Sequence, residues 1–310
     1  MVRDSELRSF VTGLGLPGIV DIHVHFMPQS VLDKVWAYFD NARENYGLEW
    51  PVQYRFDEDE RVRLLRSFGV TRFAPLAYPH KPGMAEWLNE WTRDFTARTE
   101  GAVLAATFFP EPEVDAYLAK ALDAGARCVK AHVQIGGYDP RTSELDGAWG
   151  MLAEAGVPVV VHCGHGPLRG AFTGLDIFGE VLARHPELTL VLAHAGMPDF
   201  DAAFDLVSRY RNVYVDTTMV GVDFGAPVPD DFPALLARHP DRVVLGTDYP
   251  NIPYEYAHQI EVIAGWAARD ERLGPEFLRA VLHDTPARLL GRASRPPSHD
   301  LGIADEADRR

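Results

Sequence analysis

Two spacings of apolar residues alternate along the chain. Short apolar runs recur at about 18–25, 70–78, 102–109, 127–134, 157–163, 188–195, 212–218 and 242–248. Between them lie longer stretches with apolar residues three and four apart, such as DEDERVRLLRSFG, EPEVDAYLAKALDAGA and FDAAFDLVSRYR. The first spacing predicts strands and the second amphipathic helices. Runs such as VPVVVH and LTLVLAH are apolar on both faces. Parallel strands need that when helices cover one side and a packed interior fills the other. Gly69, Gly101, Gly125 and Gly156 stand where helical stretches end before the next run, and glycine relieves the left-handed backbone found there. Eight strand–helix units predict one α/β domain over 1–292, a (β/α)8 TIM barrel. A doubly wound open sheet is the alternative, but no GxGxxG follows any strand to mark its dinucleotide-binding form.

One stretch breaks the rhythm. Residues 26–56 separate the first strand from the first regular helix, and they carry helical spacing and aromatics including Trp36, Tyr38, Phe39 and Trp50. So long a βα connection predicts a lid over the barrel mouth, with a surface insertion as the plainer alternative. The tail from 293 reads as flexible.

Composition narrows the class. The chain has 310 residues, 46% hydrophobic and 24% charged, with a formal net charge of −15. Such acidity argues against nucleic acid as a partner, because phosphate binding needs clustered Lys and Arg. No run of 18 apolar residues predicts a membrane span, and the N-terminus lacks a signal-peptide apolar region. The two cysteines, Cys128 and Cys163, sit in apolar runs. They read as buried free thiols of a reducing, cytoplasmic compartment.

Barrel chemistry occurs where strands end. The first strand carries Asp21, His23 and His25, which strict alternation places on one face. The fourth ends with Lys130 and His132, the fifth with His162, the sixth with His194 and the eighth with Asp248. Each alone has an ordinary reading: a hydrogen-bonded structural histidine, a snorkelling lysine, a helix-capping aspartate. Together they place five of the twelve histidines at the ends of four strands, with an aspartate at a fifth. That donor set suits one divalent metal, Zn2+ first, with Mn2+ or Fe2+ as alternatives.

The motifs DIHVHFMP, VKAHVQ, VVVHCG, LAHAGMP, GTDYPN and the closing HDTPARLLG resemble the amidohydrolase superfamily over about 18–291. They are most similar to its amidohydrolase-related branch of aminocarboxymuconate semialdehyde decarboxylase-like enzymes, resorcylate-type decarboxylases, and hydrolases and lactonases of aromatic catabolism. The resemblance implies that His23, His25, His162 and Asp248 bind the metal. By it, Asp248 and His194 are catalytic, and Lys130 and His194 are candidates for a second or bridged metal. Lys130 matches a lysine that is carboxylated in binuclear members, while a mononuclear site is more usual in this branch. The HxH start sets the chain apart from the resorcylate-type decarboxylases, whose first strand starts with a Glu-x-Ala pattern. The same resemblance implies a homodimer.

The expected activity is hydrolysis of an amide, ester or lactone in a small carboxylated compound. The alternatives are non-oxidative decarboxylation of an unsaturated or aromatic acid, and a non-catalytic barrel that only binds a partner. Tyr78, His80, His132, His165 and Arg169 are candidate substrate contacts, with Met219, Phe108 and Phe109 on the same rim. Arg169 is the preferred carboxylate anchor, because arginine grips carboxylates through two parallel hydrogen bonds.

Overall fold

The eight apolar runs form eight short parallel strands. They are β1 (Ile19–Val24), β2 (Val70–Pro75), β3 (Ala105–Thr107), β4 (Cys128–Ala131), β5 (Val159–Val161), β6 (Leu190–Leu192), β7 (Val213–Asp216) and β8 (Val243–Val244). The structure, a computed structural model, describes residues 2–166, 168–222, 224 and 226–291. β1 pairs with β2, and β3 to β8 pair in sequence order. Single parallel bridges, Phe73 with Ala102 and Val24 with Tyr249, join the two groups on both sides. Phe73 N donates to Gly101 O at 2.9 Å, and His25 N to Tyr249 O at 2.6 Å. Every strand therefore has two neighbours, and the ring is a closed (β/α)8 barrel.

Sequence explains the closure between β2 and β3. Gly101 has φ +84°, and a Cβ there would lie 2.7 Å from Thr71 O. Only glycine lets the chain enter β3 this close to β2. Gly69, Gly125 and Gly156 likewise have positive φ before their strands.

Two apolar layers follow from strand alternation. The inner one gathers Val20, Ile22, Ala74, Val103, Cys128, Val160, Val191, Tyr214 and Val244. Leu289 and Leu290, from the helix Thr285–Gly291, join it and close the N-terminal end of the barrel. The outer layer, with Val129, Val161, Leu192 and Val215 among its members, packs against the helices. Both cysteines are buried and unpaired. Among the described residues no helix is long and apolar enough to cross a membrane.

Two local expectations need correction, and one helix was not foreseen. Asp21 does not share a face with His23. The β1–β2 register shifts between Asp21 and Val24, and such an irregularity turns the following side chains. Asp21 instead accepts from Thr247 Oγ1 and from the hydroxyl of Tyr256, on the surrounding helix Tyr256–Arg269. The run 127–134 is not all strand: β4 stops at Ala131, and Val133–Gly136 is a short helix capped by His132. An N-terminal helix, Asp4–Gly13, burying Leu7 and Val11, precedes the barrel. Its polar composition hides it from an apolar-periodicity reading.

The stretch 26–56 folds into the helices Gln29–Asp40 and Ala42–Tyr46. Leu32 and Trp36 pack with Met27, Tyr78, Met84 and Leu88. The indoles of Trp36 and Trp50 both donate to Asn251, to Oδ1 at 3.1 Å and to the backbone carbonyl at 2.7 Å. The stretch is thus fastened to the loop after β8. The tail from 293 lies outside the described residues.

Candidate metal centre

The C-terminal strand ends open on a cavity of about 550 Å³, of a size for a small molecule. His23, His25, Lys130, His162, His194 and Asp248 all line it. Three of them come closest together: ligand atoms of His23, His25 and Asp248 lie within 4.8 Å of one another. His25 Nε2 is 2.7 Å from Asp248 Oδ1, and His23 Nε2 is 3.2 Å from the same oxygen.

The neighbours of these rings fix their tautomers. His25 Nδ1 lies 2.8 Å from Leu76 O, which can only accept. His23 Nδ1 lies 2.8 Å from Asp216 Oδ2, another acceptor. Each imidazole therefore donates through Nδ1 and turns the Nε2 lone pair towards Asp248. Lys130 Nζ, 2.8 Å from His23 Nε2, can answer one of these lone pairs; the His25 nitrogen and the Asp248 oxygen still repel unless a proton or a cation lies between them. Burial, with the Lys130 ammonium beside it, lowers the His23 pKa to about 4, which works against a doubly protonated ring. The donor set and its outer hydrogen bonds fit a divalent metal.

His162 and His194 form a second pair of this kind. His194 Nδ1 faces Thr218 O at 3.2 Å, and His162 Nε2 faces Gln134 Oε1 at 2.8 Å. The remaining nitrogens, His194 Nε2 and His162 Nδ1, meet at 3.2 Å. Burial lowers the pKa of both rings. His162 is thus set beside His194 and outside the tight His23–His25–Asp248 group. Lys130 Nζ lies 2.8 Å from His23 Nε2, and burial lowers its pKa as well. Burial opposes the charge of Asp248, but positive charge held at His25 first, then at His23 and His194, favours the carboxylate and keeps it well below the usual range.

Asp216 escapes a reading that looks only at the other strand ends. It closes β7 in VYVDTT, fully buried. Its Oδ1 accepts from His194 N at 2.8 Å and Thr218 N at 3.1 Å, while Oδ2 orients His23. A polar residue at the end of an apolar strand was the available signal. Gln134, on the short helix after β4, was hidden because no spacing ties it to His162. The backbone is also unusual here: His194, Met219 and Asp248 have φ of 56°, 58° and 66°. Left-handed non-glycine residues are costly and tend to persist where function holds them.

The remaining candidates divide. Tyr78, His80, His132 and Met219 line the cavity. The His132 ring stacks on His162 with centroids 4.3 Å apart, and Tyr78 lies 4.6 Å from His132 and 5.2 Å from His25. His165 instead pairs with Asp199 at 2.6 Å, outside the cavity lining. Arg169 is exposed and does not line the cavity. Phe108 and Phe109 pack in the outer layer, against Trp149 and Tyr138.

Comparison with known proteins agrees with this architecture. An uncharacterized TIM-barrel protein of Bordetella bronchiseptica superposes with a TM-score of 0.69 at 17% identity, covering 88% of this chain and 99% of that one. The 5-carboxyvanillate decarboxylase of Sphingomonas paucimobilis gives 0.60 at 14% identity, covering 89% and 99%. A dihydroorotase of Campylobacter jejuni gives 0.56 at 13% identity, covering 91% and 85%. At these identities the likeness is one of fold. No curated protein matches the sequence. The amidohydrolase family model matches residues 20–292, nearly the whole described chain. With the barrel and the histidine–aspartate floor in place, that match makes the chain a member of the amidohydrolase family.

Proposed function

We propose that the chain is a metal-dependent hydrolase, cleaving an amide, ester or lactone bond in a small carboxylated compound. The observation that carries this reading is the meeting of His23 Nε2, His25 Nε2 and Asp248 Oδ1, all lone-pair atoms, at the cavity floor. His23, His25 and Asp248 would hold the metal, with His162, which also lines the cavity, as the further ligand the family resemblance implies and Zn2+ the best match to the donors. When bound, such a metal supplies positive charge that acidifies water and polarises a carbonyl.

The chain's own groups do the rest. Asp248 Oδ2 has no hydrogen-bond partner among the described residues, so it is free to take a proton from the attacking water. The same carboxyl then returns that proton to the leaving group. Burial keeps the Tyr78 hydroxyl protonated, so it donates towards a substrate oxygen. His194, fixed by Thr218 and Asp216, holds its Nε2 towards the floor. The stretch 26–56 serves as the wall and lid of a single catalytic unit spanning 1–292.

Non-oxidative decarboxylation is the second reading. It draws on Lys130, whose nitrogen on the floor offers charge to a substrate carboxylate. Zinc-loaded protein, assayed on lactones, esters, amides and aromatic acids in oxygen-labelled water, separates the two. Label entering a product carboxylate supports hydrolysis. CO2 release without label transfers the proposal to decarboxylation, and no turnover of any kind leaves a binding protein.

A further inference from the structure

The cavity differs in charge from the molecule around it. The chain carries a formal −15, yet Asp248 is the one acidic residue among the cavity's described lining, against Lys34 and Lys130. Basic side chains lining a cleft in an acidic protein concentrate anions at its mouth. Lys130 sits on the floor beside His23. Lys34 comes from elsewhere, the helix Gln29–Asp40 of the inserted stretch.

That helix has two working faces. Leu32 and Trp36 turn into the packing beneath. Val31, Lys34, Val35 and Tyr38, spaced three, one and three apart, line the cavity. This is the stripe that one side of a helix presents. Lys34 is the charged member of a stripe that is otherwise aliphatic and aromatic. It is exposed and has no ion-pair partner among the described residues. Phe39, Tyr46 and Trp50 extend the wall beside it, with Phe39 and Trp50 stacked at 5.6 Å. Trp50 is held in place by its bond to Asn251.

Lys34 is thus a charged group in an aromatic cavity wall, with no carboxylate to pair with among the described residues. Arg169, the sequence candidate for a carboxylate anchor, lies outside the cavity lining. We infer that Lys34 binds an anionic group at the end of the substrate remote from the reacting bond, and that a flat apolar body between the two lies against Tyr38, Phe39, Tyr46 and Trp50. The substrate class is then an aromatic or conjugated compound with a carboxylate distal to the bond that reacts. This rests on the proposed function only in giving the reacting end to the metal floor.

The test uses zinc-loaded, full-length protein and calorimetric titration with benzoate, isophthalate and terephthalate. One carboxylate occupies the floor, and the second of a dicarboxylate reaches Lys34. At least one dicarboxylate should bind about tenfold tighter than benzoate, the size of one charge-assisted contact. Lys34→Met should bring its affinity down to that of benzoate, and Lys34→Arg should keep the preference. Equal binding of all three acids to the wild type, a preference that survives Lys34→Met, or no binding by any of them overturns the inference. Turnover of phenyl acetate judges the hydrolase reading separately. If phenyl acetate is cleaved but no dicarboxylate preference exists, only the role of Lys34 falls. If the preference exists but no ester, lactone or amide is cleaved, only hydrolysis falls.

Discussion

Asp216 Oδ2 and His23 Nδ1 meet at 2.8 Å, and both side chains are fully buried. One carboxylate at the end of β7 thereby fixes the tautomer of a β1 imidazole, while its other oxygen positions the backbone of His194. Asp216→Asn would keep the backbone hydrogen bonds through Oδ1 and turn an N–H towards His23. The imidazole proton would then move to Nε2, where a metal needs a lone pair. Zinc affinity should fall about 10–100-fold, as for other lost outer hydrogen bonds at metal sites. Competition with a chromophoric chelator measures it, and an unchanged affinity would remove Asp216 from this role.

Gly246 is required by close approach. A Cβ there would lie 2.5 Å from Thr218 Oγ1, 2.8 Å from His23 Cβ and 3.0 Å from Asp216 Cγ. Gly246→Ala should cost about 1–3 kcal/mol, the usual range for overpacking, and weaken zinc binding with it. Gly265, within the helix Tyr256–Arg269, has open space where a methyl group would go, with nothing within 4 Å. Gly265→Ala should be neutral or stabilising by up to about 1 kcal/mol. Urea denaturation of the two variants checks the contrast; equal effects would contradict it.

Asp248→Asn should lower turnover about 10²–10⁴-fold, the range for losing a positioned proton acceptor. Urea unfolding should remain cooperative, because the lost charge served the cavity and not the core. Turnover close to wild type would take proton transfer away from Asp248.

The two indole bonds to Asn251 make a different prediction. Asn251→Ala leaves Trp36 Nε1 without its acceptor in a buried setting, at a cost of about 1–3 kcal/mol. The effect should be concentrated in the stretch 26–56. Limited proteolysis should cut there faster than in the wild type, and KM should rise more than kcat falls. Cleavage at wild-type rates would show that the wall is held by other contacts.

The barrel was legible in the sequence because a parallel strand covered on both faces has to be apolar throughout, and each of the eight runs contains one of the strands. His23, His25 and Asp248 were legible because strand ends in a closed ring must face one rim. Asp21 was misplaced because alternation assumes an unbroken register, and β1 shifts after it. Asp216 offered the same signal as His194, a polar residue closing an apolar strand, but its work is to orient His23 from beneath. Arg169 and His165 follow β5 on an irregular segment, whose path no periodicity fixes. Lys34 could be placed on the cavity side only once the direction of its helix was known.

Metal content tests the central claim most directly. Wild-type protein, reconstituted with Zn2+ and freed of excess, should hold about one equivalent by elemental analysis, as one closed donor set requires. Its melting temperature should rise with zinc, since a ligand that binds only the folded state stabilises it. His23→Ala/His25→Ala should hold no zinc and lose that rise while still folding. A wild type that retains no divalent metal, or a double variant that retains as much as the wild type, would contradict the account.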